Sequence, residues 1–428
     1  MKVKGLKINA FRGIDNLELE LEPDLPIVFI GNNGVGKSSI LDCIAILLSR
    51  LLYPIKARYI DASRRVSEIY NITERFFIVE DIKNGCKETE NEITIELDDS
   101  QKLSWTLSSN KKKNQDFPYL SQLEEVIKNI YEEWENSFYV NIPLAVYYPT
   151  NRVVRETPLE IEKQYLFEQI DAYEEALDGI QIGFESFFQW FRALEDVENE
   201  EIRDNPDNRN RDLEAVRQSI YSLIVGFSNL RVRRSPLRMT VKKQGQELIV
   251  DQLSDGEKCL LAMVGDLARR LAIANPSLEK PLEGSAVVLI DEIELHLHPK
   301  WQREIIPALT RTFPNCQFII TTHSPQVISQ VKPDGIYILE ATPEGIVAKR
   351  PESSFGRDSN RILEDLMGVS ERPQQIKDNL RELFRLIDAG NLDAARQLRQ
   401  QIEDEIGADE SEFVRADIMM RRKEIINR

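Results

Sequence analysis

The run "IVFIGNNGVGKSS", residues 27 to 39, constrains this chain more than any other. Four apolar residues lead into a loop that satisfies G-x-x-x-x-G-K-[ST] with Gly31, Gly36, Lys37 and Ser38, and a long apolar segment follows. Glycines let backbone N–H groups close on phosphate, the lysine reaches the outer phosphates, and the hydroxyl ligates Mg²⁺. Such a loop needs a strand behind it and a helix in front, so residues 1 to 50 read as strand, turn, strand, phosphate loop and helix. Gly31, Asn32, Asn33, Gly34, Val35, Gly36, Lys37, Ser38 and Ser39 form the candidate nucleotide loop, with ATP and Mg²⁺ as expected ligands.

A second anion cradle stands far along the chain. In "DQLSDGEKCLLAMVGDLARRLA", residues 251 to 272, a Ser-x-Gly turn opens an apolar helix. The first N–H groups of a helix lack intrahelical partners and sit at the positive end of its dipole, so Ser254 and Gly256 can face phosphate. One nucleotide does not need two cradles from one chain. If Ser254 and Gly256 cap the γ-phosphate held by another copy, each ATP joins two protomers, and a symmetric dimer encloses two ATP molecules.

"VVLIDE", residues 287 to 292, aims Asp291 at the carboxyl edge of a sheet, where ligands bind in such folds. Asp291 is placed to hold Mg²⁺ and Glu292 to polarise the attacking water. His323, in "FIITTHSP", follows another buried strand and can reach the γ-phosphate opposite Lys37; the alternative is a loop histidine bonded to backbone. His296 and His298 form H-x-H, which on a strand would point both rings one way, but no Cys or third His lies nearby to complete a metal site.

Length suggests two or three lobes, since 428 residues exceed one ordinary core. No signal peptide is visible and no apolar run is read as reaching a membrane span, so the expected location is the cytoplasm. Seventy-two acids against 55 bases leave a charge of −17, which repels nucleic acid except at a local patch. Arg231, Arg233, Arg234, Arg238, Lys242 and Lys243, with Lys111 to Lys113, could form one, or could be the solvated face of strands. The four cysteines are single and lack a CxxC pair, against both a disulfide framework and a zinc site.

The pattern divides into an N-terminal lobe over 1–155, a helical insertion over 156–228, a second lobe over 229–352 and a helical C-terminal interaction region over 353–428. Residues 75 to 106 read as an antiparallel meander that includes "RFFIVEDI". Phe184, Phe187, Phe188 and Phe191 mark one helix, and Leu213, Val216, Ile220, Leu223 and Ile224 the next, with a polar turn between them. The expected fold class is α/β: a two-lobed P-loop NTPase with a helical insertion and a helical appendage.

In this order the motifs resemble those of ABC-type ATPases of the SMC/RecF branch. "GNNGVGKSS" is similar to Walker A, "LSDGEK" to the signature, "VVLIDE" to Walker B, "IELHLHP" to the D-loop and "TTHSP" to the switch-histidine loop. The resemblance assigns Ser254, Asp255, Gly256 and Glu257 to a partner's nucleotide, although Asp255 and Glu257 depart from the common L-S-G-G-Q. It places Phe11, Arg12 and Gly13 near the adenine and offers "PTNR", 149 to 152, as the Q-loop. "ELHLHPKWQREIIPAL" and the tail "SSFGRDSNRILEDLMGVSERP" further resemble PtuA-type ATPases of Septu anti-phage systems, some of them attached to retrons. That family implies a homodimer or larger homo-oligomer and a separately encoded HNH nuclease, and it admits a retron reverse transcriptase with its DNA. A RecF-like repair ATPase that contacts DNA directly is the alternative. No centre able to cut DNA is read in the chain itself.

Overall fold

The computed structural model describes residues 1–62, 75–97, 101–111, 121–137, 139–151, 167–179, 182 and 184–426. The first elements are β1 (Lys2–Phe11), β2 (Ile14–Glu20), β3 (Ile27–Gly31), α1 (Lys37–Ala62), β4 (Glu88–Glu96), β5 (Lys102–Asn110), α2 (Ser121–Asn136) and β6 (Leu144–Tyr148). There follow α3 (Phe184–Asp204), α4 (Arg211–Leu223), β7 (Phe227–Arg234), β8 (Leu237–Lys243), β9 (Gln246–Ile249), α5 (Asp255–Ala274), β10 (Ala286–Ile290), α6 (Pro299–Thr312) and β11 (Cys316–Thr321). The last are α7 (Pro325–Ile328), β12 (Ile336–Thr342), β13 (Gly345–Lys349), α8 (Ser359–Asp365), α9 (Gln374–Asp388), α10 (Leu392–Ile406) and α11 (Ser411–Ile426). The chain divides into two units, Met1–Arg357 and Asp358–Arg428.

The first unit is built on a six-stranded sheet in the order β13-β12-β3-β11-β10-β6. Its strands run parallel from β12 to β6, and only the edge strand β13 is antiparallel. β10 and β6 are buried at every residue, as strands covered on both faces must be. The β2-β1-β4-β5 sheet is antiparallel and alternates buried with exposed residues. Trp105 on β5 donates through Nε1 to the Leu47 carbonyl of α1 at 3.0 Å, so α1 packs against this second sheet as well as beneath the first.

That double coverage explains the composition of α1. Residues Lys37–Ala57 are long and apolar enough to cross a membrane, contrary to the sequence reading, yet 78% of that window is buried inside the protein. A helix apolar on all sides is here a core helix between two sheets.

One sequence assignment changes. "RFFIVEDI" does not join the meander: residues 75–78 are irregular and Val79–Asp81 form a 3₁₀ turn. Phe77 packs on β1 with its ring edge-on to Phe11 at 5.3 Å and Ile82 makes a single bridge to Phe11, whereas Ile78 and Val79 are exposed; Asp81 accepts from Arg12 and the Ile78 N–H. The start of the helical insertion read at residue 156 lies outside the described residues, as do all of 152–166; beyond them Gln169–Tyr173 is a 3₁₀ turn, and the helices described in this region are α3 and α4. They form a hairpin tied by Arg217, whose Nη1 lies 2.8 Å from Glu198. The helix α2 carries Leu123, Val126 and Ile127 inward and had no counterpart in the sequence reading.

A buried ionic cluster fixes α5 to β6. Asp266 accepts from Arg269 at 2.9 Å, Arg270 at 2.7 Å and the Tyr148 hydroxyl at 3.0 Å. Burial alone would raise its carboxyl, but Arg270 and Arg269 overcome this and hold it below the usual carboxylate range. Arg270 also donates to the Ala172 and Glu174 carbonyls, which fastens the irregular segment over the helix.

In the second unit, α9 to α11 share a core of Ile376, Leu380, Leu383, Ile387, Ala395, Ile402, Phe413, Ala416 and Met420. Between α9 and α10, Gly390 takes φ 78° and the Asn391 side chain caps the next helix.

Replacing Asp266 with Asn should cost roughly 3 to 5 kcal/mol in chemical unfolding, because two buried guanidinium groups lose their countercharge. The contribution of Asp266 is present above the unfolded carboxylate pKa. It should fade as pH falls through the lower folded value.

Candidate functional site

The loop after β3 and the acids after β10 emerge at the same sheet edge, separated only by β11. Gly31 starts the loop with φ 146°, and a Cβ there would lie 2.5 Å from the Leu339 carbonyl of β12. Only glycine fits that approach. Lys37, nearly buried, folds back to donate to the Gly31 and Asn32 carbonyls at 2.8 and 3.0 Å. Burial pushes its ammonium below the ordinary lysine value, and Glu292, Asp291 and Glu294 act against that shift. Ser38 follows at the exposed start of α1.

Asp291 and Glu292 are positioned by one hydroxyl. Thr321 Oγ1 donates to Asp291 Oδ1 at 2.5 Å and accepts from the Glu292 N–H at 2.7 Å. The Asp291 N–H donates to the Tyr148 carbonyl of β6 at 2.9 Å. Glu292 takes φ 47°, an uncommon backbone conformation for a residue with a side chain. His323 lies two residues past Thr321, with its N–H on the Glu294 carboxylate at 2.5 Å. Sequence reading missed Glu294, because nothing in the string "IELHLHP" separates it from its neighbours.

Ser254 caps α5 in a reciprocal arrangement. Its Oγ accepts from the Glu257 N–H at 3.4 Å, and the Glu257 carboxylate accepts from the Ser254 N–H and hydroxyl at 3.1 and 2.9 Å. Lys243 sits 2.6 Å from the same carboxylate. Burial alone would raise the Glu257 carboxyl, but Lys243 and Ser254 hold it below the usual range. Glu257 is thus buried against its own chain, while Asp255 is exposed. At Gly256 a Cβ would meet the His296 carbonyl at 2.4 Å. That contact seats the turn after β10 directly on the start of α5. His296 has φ 63° and His298 caps α6, so the two rings do not share a strand face.

These residues line a cavity of about 760 Å³, formed by Lys243, Ser254, Asp255, Gly256, His296 and Trp301 together with Gln252, Glu257, Leu297 and His298. None of residues 31–39 lines it. One chain therefore brings Lys37, Asp291, Glu292 and His323 to one edge and gives Ser254 and Gly256 a cavity of their own.

Arg12, assigned near the base, is held by Asp42 at 2.5 Å and Asp81 at 2.8 Å, with its guanidinium 5.0 Å from the Phe11 ring. Of the basic candidates, Arg233 pairs with Glu247, Arg234 with Glu195 and Asp196, and Lys243 with Glu257. Lys112, Lys113 and Arg152 lie outside the described residues. Among the described residues no group of three or more His, Cys, Asp or Glu could hold a metal ion.

A phosphate loop and an acid pair on strands separated by one other, with a Ser-Gly-capped helix in the same unit, mark a P-loop ATPase whose motifs follow the order of the ABC type. The chain belongs to the family described as "AAA domain, putative AbiEii toxin, Type IV TA system", which matches residues 27–329. It is similar to the Retron Vc95 probable ATPase of Vibrio cholerae serotype O1 biovar El Tor, 31% identical over 87% of this chain and 80% of that one. It is also similar to the Retron Ec83 probable ATPase of Escherichia coli, at 29% over 99% and 87%. The Septu protein PtuA of Bacillus thuringiensis is 24% identical over 86% and 85%. Among solved structures, the SMC head domain from Thermotoga maritima aligns over 82% of this chain and 100% of its own, with a TM-score of 0.45 and 15% identity.

Since burial lowers the Lys37 pKa, its charge is lost at a lower pH than that of an ordinary lysine. Fluorescent-nucleotide titrations should show ATP affinity falling as pH rises, beginning below the ordinary lysine value.

Proposed function

We propose that this chain is the cytoplasmic ATP-binding and ATP-hydrolysing subunit of an anti-phage defence system, that it dimerises around two ATP molecules, and that it regulates a separately encoded HNH nuclease. The observation that carries the dimer is the separation of the two cradles: the cavity at Ser254 and Gly256 is lined by no residue of the 31–39 loop. A phosphate bound by Lys37 would meet the signature of a second copy. The printed names of the retron and Septu relatives support the defence setting. A nuclease in trans fits the placement of all three histidines, two beside the signature cavity and one beside the Walker B acids.

In this reading residues 31–39 bind the triphosphate, Arg12 lies toward the base, Glu292 takes the proton of the attacking water, and His323 contacts the γ-phosphate. Ser38 and Asp291 would hold Mg²⁺; a hydroxyl and a carboxylate are the oxygen donors that this ion takes alongside phosphate and water. When bound, Mg²⁺ neutralises charge on the phosphates. Ser254 and Gly256, with Asp255 beside them, face the partner's nucleotide, while Glu257 braces the cap from within. Direct DNA binding is less favoured, because Arg233, Arg234 and Lys243 are already paired with acids of the chain.

Mixing two inactive variants tests the pairing. Lys37→Ala and Ser254→Arg should each abolish turnover alone, whereas a mixture of the two should recover it, since one mixed pocket keeps both wild-type residues. Failure to recover in a confirmed mixed dimer would exclude the shared pocket. Glu292→Gln should slow hydrolysis about a hundredfold or more and trap an ATP-bound dimer on size exclusion. Purification with the proteins encoded beside it should retain an HNH nuclease; an intact complex without one would overturn that partner.

A further inference from the structure

Glu294 stands two residues beyond the candidate base, in a turn that reaches the signature cavity. Its carboxylate accepts from Thr322 Oγ1 at 2.7 Å and from the backbone N–H of His323 at 2.5 Å. A carboxylate can accept both bonds at full strength, and charge-assisted bonds of this kind are the stronger ones. Thr322 Oγ1 accepts in turn from the Ser324 N–H at 3.0 Å, and the Thr322 N–H donates to the Phe29 carbonyl of β3 at 3.2 Å. The His323 segment therefore hangs from β3 at one point and from Glu294 at two.

The same turn is closed from its other side. Ser324 Oγ donates to Gln302 Oε1 at 2.7 Å, Gln302 Nε2 donates to the Leu297 carbonyl at 2.8 Å, and the Leu297 N–H donates to the Glu294 carbonyl at 2.9 Å. A ring of hydrogen bonds thus joins residues 294–297 to residues 322–324 through α6. Between Glu294 and Leu297 lies His296, whose carbonyl rests against Gly256 at the start of α5. The turn touches the surface offered to a second copy at one end and holds the His323 backbone at the other.

We propose that Glu294 is a positioning residue that fixes His323 for hydrolysis and makes that position depend on the cavity at Ser254 and Gly256. This rests on the reading that His323 acts on the bound nucleotide. Glu294 does so through the loop backbone. Displacement of the His296 carbonyl by an approaching protomer would pass through Leu297 and the Glu294 main chain to the clamp. Gln at this position keeps one oxygen for the His323 N–H, but its amide N–H₂ can only donate toward Thr322, so that hydroxyl must turn to accept and both bonds lose the assistance of the charge.

The test uses the full-length chain and steady-state ATP hydrolysis. Glu294→Gln should lower kcat on the order of tenfold to a hundredfold, the scale of a misplaced reacting group, while KM stays within about twofold of wild type. In a His323→Ala background the same substitution should lower kcat by less than about twofold, because its route to the chemistry is already gone. Thr322→Val removes the other side of the clamp and should repeat this pattern, which keeps the proposal testable if Glu294→Gln fails to fold. Wild-type kcat in Glu294→Gln, a loss confined to KM, or a loss that multiplies with that of His323→Ala would each overturn it. If His323→Ala itself retains full kcat, the role assigned to His323 is what fails, and the clamp loses its purpose with it.

Discussion

The Thr321 hydroxyl stands between two acids and serves both, donating to Asp291 and accepting from the backbone of Glu292. It can do so because β11 is inserted between β3 and β10, which puts its last residue level with both loops. A buried carboxylate beside a buried lysine is stable only when its hydrogen bonds are met. Thr321 meets one of them and in the same stroke fixes the left-handed backbone at Glu292. Placement of the candidate metal ligand and of the candidate base is therefore a single event of packing.

The signature side rests on a different kind of contact. Glu257 replaces the glutamine of the common motif, yet its side chain completes a cap within its own helix and pairs with Lys243 on β8. The ion pair links α5 to the three-stranded sheet of β7, β8 and β9. Gly256 remains because the His296 carbonyl occupies the space a side chain would need. The glycine thus has a reason inside one chain, independent of any phosphate it faces.

Much of this was legible in the sequence, and the legible parts share a cause. Strands buried on both faces must be runs of Val, Ile, Leu and Phe, so "IVFIG", "AVVLI" and "CQFIIT" stand out. Turns that need glycine or a capping side chain at a fixed place also announce themselves, as at Gly31, Ser254 and "AGNLD". "RFFIVEDI" misled because its run of apolar residues reads as a strand, whereas Phe77 and Ile82 meet Phe11, Asp81 ties the segment to Arg12, and Ile78 and Val79 are left exposed. α2 left a readable signal in Leu123, Val126 and Ile127 and in the Ser121-x-x-Glu124 spacing at its start, and the sequence reading passed over both. Glu294 had no local signature at all: its partners Thr322 and His323 are neighbours only once β10 and β11 lie side by side.

The position of β3 bears on how such a chain is made. Its two neighbours in the sheet, β11 and β12, both come from residues beyond 315. While a ribosome is still producing the first three hundred residues, this strand and its phosphate loop have nothing to pair with. An apolar segment must therefore stay shielded through most of synthesis, and the catalytic edge assembles late and all at once. A nascent or truncated product would carry the loop without any of the geometry that gives it a use.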